Sequence, residues 1–176
     1  MPYGYSALAP HVEAAFREAN PASVLDVGAG YGFWGAFLRT YFCGREDGRL
    51  AKPFPWLLNG VEGFRNYQNP MWDLYDSMTL ANIEEIGIGL QCARHDFVVC
   101  IDVMEHLSVR AGTEILRETK SGIFGICLAM YDGPIAPFGN RLESHITLWD
   151  KDVLRQTPGL TVTELNPLYL MVTKGL

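Results

Sequence analysis

The chain has 176 residues, 48% of them apolar and 19% charged, and a formal net charge of −6. Such a composition excludes a disordered chain and describes one domain, residues 1–176, that buries roughly 70% of its extended surface. The acidic balance, with no stripe of Lys and Arg, disfavours a nucleic-acid partner. No run approaches the roughly 20 apolar residues of a membrane span.

From the N-terminus, apolar residues at helical spacing (Leu8, Val12, Ala15, Phe16) predict a helix from about Ala7 to Ala19. Asn20-Pro21 stops it, so residues 1–21 read as an N-terminal helical segment. Val24–Val27 is a buried strand that runs into Gly28, Gly30 and Gly32. A helix through Phe33, Phe37, Leu38 and Tyr41 follows, and then a surface insertion, Cys43 to Pro55, rich in charge, Gly and Pro. Trp56–Glu62 is the second strand, turning at Gly63; Pro70 to Tyr75 is a short helix and Ser77–Leu80 the third strand. Phe97–Ile101 is the fourth strand, closed by Asp102, with a helix predicted from Glu105 to about Thr119. Ile123–Met130 is the fifth. Residues 131–149 form a loop rich in Gly, Pro and aromatic side chains, and Asp150 opens a short helix. Only Asn166-Pro167 separates Leu160–Leu165 from Leu168–Thr173, so these two runs form an antiparallel hairpin.

Four cysteines (Cys43, Cys92, Cys100, Cys127) lack any CxxC spacing. Two of them sit in apolar runs, which fits a reducing cytoplasm. The opening MPYGYSALAPH has neither the charged start nor the apolar core of a signal peptide.

A strand that ends in glycines and opens into a helix sets backbone N–H groups beside a ligand. The dinucleotide fingerprint needs a third glycine where this chain has Phe33, and no Gly-Lys-Ser/Thr of a P-loop is present. Asp26, two residues before Gly28, adds an anion that suits a cationic ligand better than a pyrophosphate. In open parallel sheets, ligands sit beyond the carboxyl ends of the strands. The candidates are therefore the residues that punctuate them: Asp26, Gly28, Ala29, Gly30 and Gly32, then Glu62 and Gly63, then Asn82 and Ile83, then Asp102 and Val103. Glu62 offers two acceptor oxygens, enough for both hydroxyls of a ribose.

Asp26 with the following G-x-G-x-G, together with FVVCIDVMEHL (Phe97–Leu107), resembles the class I S-adenosylmethionine (SAM)-dependent methyltransferases, from about Ala22 to Lys174. The resemblance implies an α/β, Rossmann-like three-layer sandwich. Its sheet would have seven mostly parallel strands in the order 3-2-1-4-5-7-6, with a C-terminal antiparallel hairpin. It implies SAM as cofactor and S-adenosylhomocysteine (SAH) as product. Glu62 would hold the ribose, although it lies further along than the family's acid; Glu46 and Asp47 have nearer the usual spacing but follow no apolar strand. Asn82 would meet the adenine amino group with Ile83 against the ring, and it equally suits the N-cap of a helix. Asp102 would sit beside the amino-acid portion, with Val103 and Met104 under the sulfonium. His106 would face the substrate, and His145, near Glu143 in the substrate-side loop, is a second candidate base. Tyr3 and Tyr5 are candidates for an aromatic lid.

On a helix, Asp102, Glu105 and His106 at i, i+3 and i+4 would share a face compatible with a divalent cation, but no metal is expected. The acceptor would be an oxygen or nitrogen of a small molecule or a protein side chain. Its pocket stands open, is formed by the 131–149 loop, or is completed by a second copy in a homodimer. The alternatives are a non-catalytic SAM- or SAH-binding protein and a nicotinamide-dependent oxidoreductase; Phe33 and the terminal hairpin oppose the latter.

Overall fold

Seven apolar stretches pair into one sheet: β1 (Ser23–Val27), β2 (Leu57–Glu62), β3 (Ser77–Leu80), β4 (Phe97–Ile101), β5 (Ser121–Cys127), β6 (Leu160–Asn166) and β7 (Tyr169–Lys174). The computed structural model describes residues 4–46, 49–50, 53–129 and 139–176. The strands lie in the order β3-β2-β1-β4-β5-β7-β6, the predicted one. The first five of these run parallel, and β7 runs antiparallel to both β5 and β6.

Among the described residues, five α-helices flank the sheet: α1 (Ala9–Ala19), α2 (Phe33–Phe42), α3 (Ile88–Arg94), α4 (Val109–Glu118) and α5 (Lys151–Gln156). Side chains alternate across a strand, so a strand covered on both faces must be apolar throughout. β4 shows the consequence: Val98 and Cys100 join the core under α3, α4 and α5, while Phe97, Val99 and Ile101 join the core under α1 and α2. No helix among the described residues is long and apolar enough to cross a membrane.

The fifth strand is Ser121–Cys127 rather than Ile123–Met130, the helix Ile88–Arg94 has no counterpart in the sequence reading, and three further departures stand out. The first is the 43–55 insertion, where Cys43 at its start is buried and Arg45–Glu46 pairs with Arg49–Leu50 in a two-residue antiparallel ladder; Asp47 and Met130 to Phe138 lie outside the described residues. Second, residues 70–75 form a single 3-10 turn, Pro70–Leu74, capped by Asn69. The third matters most. The helix predicted from Glu105 begins at Val109, because the Ser108 side chain caps it by accepting the Ala111 N–H at 3.3 Å. Before it, Met104–His106 makes one 3-10 turn and Leu107 is extended. Asp102, Glu105 and His106 therefore share no helix face.

Candidate functional site

The glycine turn is built by its neighbours. Gly28 and Ala29 donate their N–H groups to Val61 O at 2.9 and 3.0 Å, Gly32 donates to Ala29 O at 2.8 Å, and Gly30 donates to Glu62 Oε2 at 2.8 Å. The bare N–H groups expected of this turn are thus in use within the protein, and an anion has no claim on these four. Gly28 has φ +71°, and a Cβ there would fall 2.3 Å from Val103 Cγ2. Backbone conformation and the close approach of the β4 end both demand glycine.

Asp26 points into the core, at Tyr75. It is 1% exposed, and its Oδ2 accepts the Tyr75 hydroxyl at 2.6 Å; that hydroxyl in turn accepts the Gly35 N–H at 3.2 Å. Burial lifts its pKa from 3.8 to about 7, against the lowering effect of the Tyr75 bond. Between those values the native carboxyl keeps a proton that the unfolded chain has lost, so this contribution is full below about pH 4 and is lost as pH rises to 7. Asp26→Asn is expected to flatten that slope. Urea unfolding at pH 4.5 and 7.5 should show wild type losing several kcal/mol relative to the variant at the higher pH. Parallel profiles for the two proteins would contradict the assignment.

A cavity of about 210 Å³ opens at the carboxyl ends of the parallel strands. Gly28, Ala29 and Gly30 line it from β1, Glu62 and Gly63 from β2, Asn82 and Ile83 from beyond β3, and Asp102, Val103 and His106 from beyond β4. Asp26, Gly32 and His145 do not line it. Nor does Met104, which is fully buried in the core rather than part of the cavity wall.

Glu62 uses both oxygens: Oε1 accepts the Phe64 N–H and Oε2 the Gly30 N–H, each at 2.8 Å. Each oxygen keeps a second lone pair. Burial raises its pKa, and these two N–H groups pull it back. Asn82 caps the 3-10 turn Ile83–Glu85 through its Oδ1, which accepts the Glu84 N–H at 3.1 Å, and also lines the cavity. Asp102 adopts a left-handed φ of +56° and accepts the Tyr169 hydroxyl; burial raises its pKa.

The stretch from Asn140 to Trp149 lies on the turn beyond β4. Ile146 and Thr147 donate their N–H groups to Glu105 O at 2.9 and 3.1 Å, and Trp149 Nε1 donates to Met104 O at 2.9 Å. This docking brings the His145 ring against His106, T-shaped, with centroids 4.7 Å apart. His106 Nδ1 lies 3.1 Å from Ser144 O, and burial lowers its pKa. Glu105, 1% exposed, is pushed up to about 8 by burial and then by the charge of Asp102.

Sequence reasoning missed several participants. Tyr75 and Tyr169 position the two acids, and Trp72 Nε1 donates to Gly30 O at 2.9 Å. Tyr67 lines the cavity and donates to Glu143 Oε1 at 2.7 Å. None of the four stands at a motif spacing. Of the two lid candidates, Tyr3 lies outside the described residues, and Tyr5 packs against Tyr169 in a tilted ring pair with centroids 4.3 Å apart.

No protein-family model matches the chain, and no curated protein sequence does either. Solved structures do share the fold. The methyltransferase domain of bacterial CtHen1 superposes with a TM-score of 0.59 at 14% identity, covering 97% of this chain and 98% of that one. The N-terminal domain of EvdMO1, solved with SAH bound, gives 0.63 at 14% identity over 97% and 80%. The O-methyltransferase TomG from Streptomyces achromogenes, involved in tomaymycin synthesis and solved with SAM, gives 0.58 at 12% identity over 97% and 80%. The chain has the fold of these methyltransferases.

Proposed function

We propose that this chain binds SAM in the cavity and transfers its methyl group to an oxygen or nitrogen of a small molecule or a protein side chain. One observation carries the reading: the Gly30 N–H bonded to Glu62 Oε2 at 2.8 Å, with both residues lining one cavity. A ribose held by Glu62 sets the rest of the cofactor along the glycine turn toward Asp102 and Val103. The bound SAH and SAM of the EvdMO1 and TomG structures support the same cofactor here. With the N–H groups of Gly28, Ala29, Gly30 and Gly32 engaged, a pyrophosphate cofactor loses its usual anchor, which disfavours the nicotinamide alternative.

The reaction is an in-line displacement. An acceptor lone pair attacks the methyl carbon, the C–S bond breaks, and its electron pair stays on sulfur to give neutral SAH. The sulfonium is already activated, so alignment supplies most of the acceleration. The acceptor must also lose a proton. His106 presents a neutral ring on the cavity wall: its Nδ1–H points at the Ser144 carbonyl, which leaves the lone pair on Nε2. That lone pair takes either the acceptor's proton or a cation.

Catalysis is tested by following SAH release from SAM with phenols, catechols, amines and peptides as acceptors. Acceptor-dependent release is expected. Cofactor binding with no turnover on any of them would make the chain a SAM- or SAH-binding protein instead.

A further inference from the structure

SAM and SAH end in an amino acid, and its carboxylate needs a donor. The N–H groups of Gly28, Ala29, Gly30 and Gly32 are spent on Val61, Ala29 and Glu62. Among the described residues that line the cavity, Arg141 is the only Lys or Arg. It is exposed, and it adjoins Leu142, which sits against Gly63 at the β2 end.

The chain has four indoles. Two are engaged: Trp72 Nε1 donates to Gly30 O and Trp149 Nε1 to Met104 O, each at 2.9 Å. Trp56 Nε1 has no hydrogen-bond partner among the described residues, but its ring packs against Phe16 and the Arg39 guanidinium and does not line the cavity. Trp34 is different. It is 3% exposed, it lines the cavity, and its Nε1 has no partner among the described residues. A buried N–H without an acceptor is costly, and a ligand oxygen would satisfy it.

The fold places this indole at one end of the cavity. Trp34 is the second residue of α2, where the helix dipole favours an anion. Gly4 and Ile101 stand beside it on the wall. A Cβ at Gly4 would fall 2.5 Å from Trp34 Nε1 and 3.5 Å from Ile101 Cγ2, so the missing side chain keeps this flank of the indole clear. Asp102 follows Ile101 and lines the same cavity. A donor-only indole N–H and an acceptor-only carboxylate therefore share one wall, the match for a carboxylate and an ammonium on one carbon.

We propose that Trp34 Nε1 donates a hydrogen bond to the α-carboxylate of the bound cofactor, while Asp102 takes its α-ammonium. The assignment rests on the SAM reading and adds a binding residue that no motif spacing marks.

The test is calorimetric titration of wild type and Trp34→Phe with SAH and with its decarboxylated analogue, which keeps the amine and lacks only the carboxylate. Phenylalanine retains an aromatic ring in the core and removes the N–H. SAH affinity is expected to fall about 10-fold or more in the variant, while the analogue binds both proteins alike. In wild type, the Trp34 indole N–H resonance should move downfield with SAH and far less with the analogue. Unchanged SAH affinity in the variant would pass the carboxylate to Arg141 and overturn the assignment. Equal loss for both ligands would also overturn it, leaving Trp34 a packing residue. An indole resonance that SAH leaves unmoved does the same, whether or not the variant folds. In each of these cases wild type still binds SAH and the cofactor reading stands. A wild-type protein that binds neither ligand overturns that reading, and the assignment falls with it.

Discussion

Glu62→Gln is expected to weaken SAH binding by at least about 100-fold while the protein still unfolds cooperatively. The reason lies in the carboxylate's geometry. Its two oxygens accept the Phe64 and Gly30 N–H groups, which fix the plane of the group, and each keeps a second lone pair on a residue that lines the cavity. Hydrogen bonds to a charged acceptor contribute about 1.5–3 kcal/mol each, so two ribose hydroxyls lose about 3 kcal/mol or more when one oxygen becomes an NH₂. Every 1.4 kcal/mol is about tenfold in affinity. Glutamine is the better probe than alanine, since its remaining oxygen still accepts one of the backbone N–H groups. Calorimetric titration with SAH reads the effect. Unchanged affinity in a folded Glu62→Gln protein would move the ribose contact to Glu143, the carboxylate that lines the cavity from the 140–149 stretch.

Gly35→Ala is expected to destabilise the protein by about 2–4 kcal/mol, although alanine is the better helix former by about 1 kcal/mol. Gly35 lies inside α2, and a Cβ there would fall 2.2 Å from Tyr75 Cζ and 2.4 Å from its hydroxyl. The ring cannot yield freely, because its hydroxyl is held between the Gly35 N–H and Asp26. Overpacking costs about 1–3 kcal/mol, and leaving Asp26 without its buried partner adds about 1–3 more, so the clash outweighs the propensity. At roughly 2–4 °C per kcal/mol for a chain of this length, the melting temperature should fall by about 5–15 °C. In a Tyr75→Leu background the same substitution should cost far less. A melting temperature equal to or above that of wild type would contradict this packing.

The strands were legible because burial on both faces writes itself as an unbroken apolar run. FVVCI at β4 and the Asn166-Pro167 hairpin left few other choices. The turns that end the strands were legible too, since glycine at positive φ has few substitutes, as at Gly28. The start of α4 was not. Glu105 and His106 have helical character of their own, and only the Ser108 cap decides that the helix begins later.

The orientation of Asp26 was hidden for a different reason. A strand-end acid can point into a cleft or into the core, and what settles it is Tyr75, 49 residues away. The same distance effect hid the Glu105–His106–His145 cluster, whose third member arrives only because the Ile146 and Thr147 N–H groups bond to Glu105 O. Local pattern set the elements; long-range hydrogen bonds set the site.

Thermal unfolding with and without SAH tests the central claim, that the cavity at the strand ends is a SAM site. At about a hundred times its dissociation constant, a ligand that binds only the native state adds roughly 2.7 kcal/mol. In a chain of this size that raises the melting temperature by about 5–10 °C. A rise of that order with SAH, and none with NADH or ATP, is the predicted result. No shift at millimolar SAH would contradict it, reducing the glycine turn and its bond to Glu62 to scaffold.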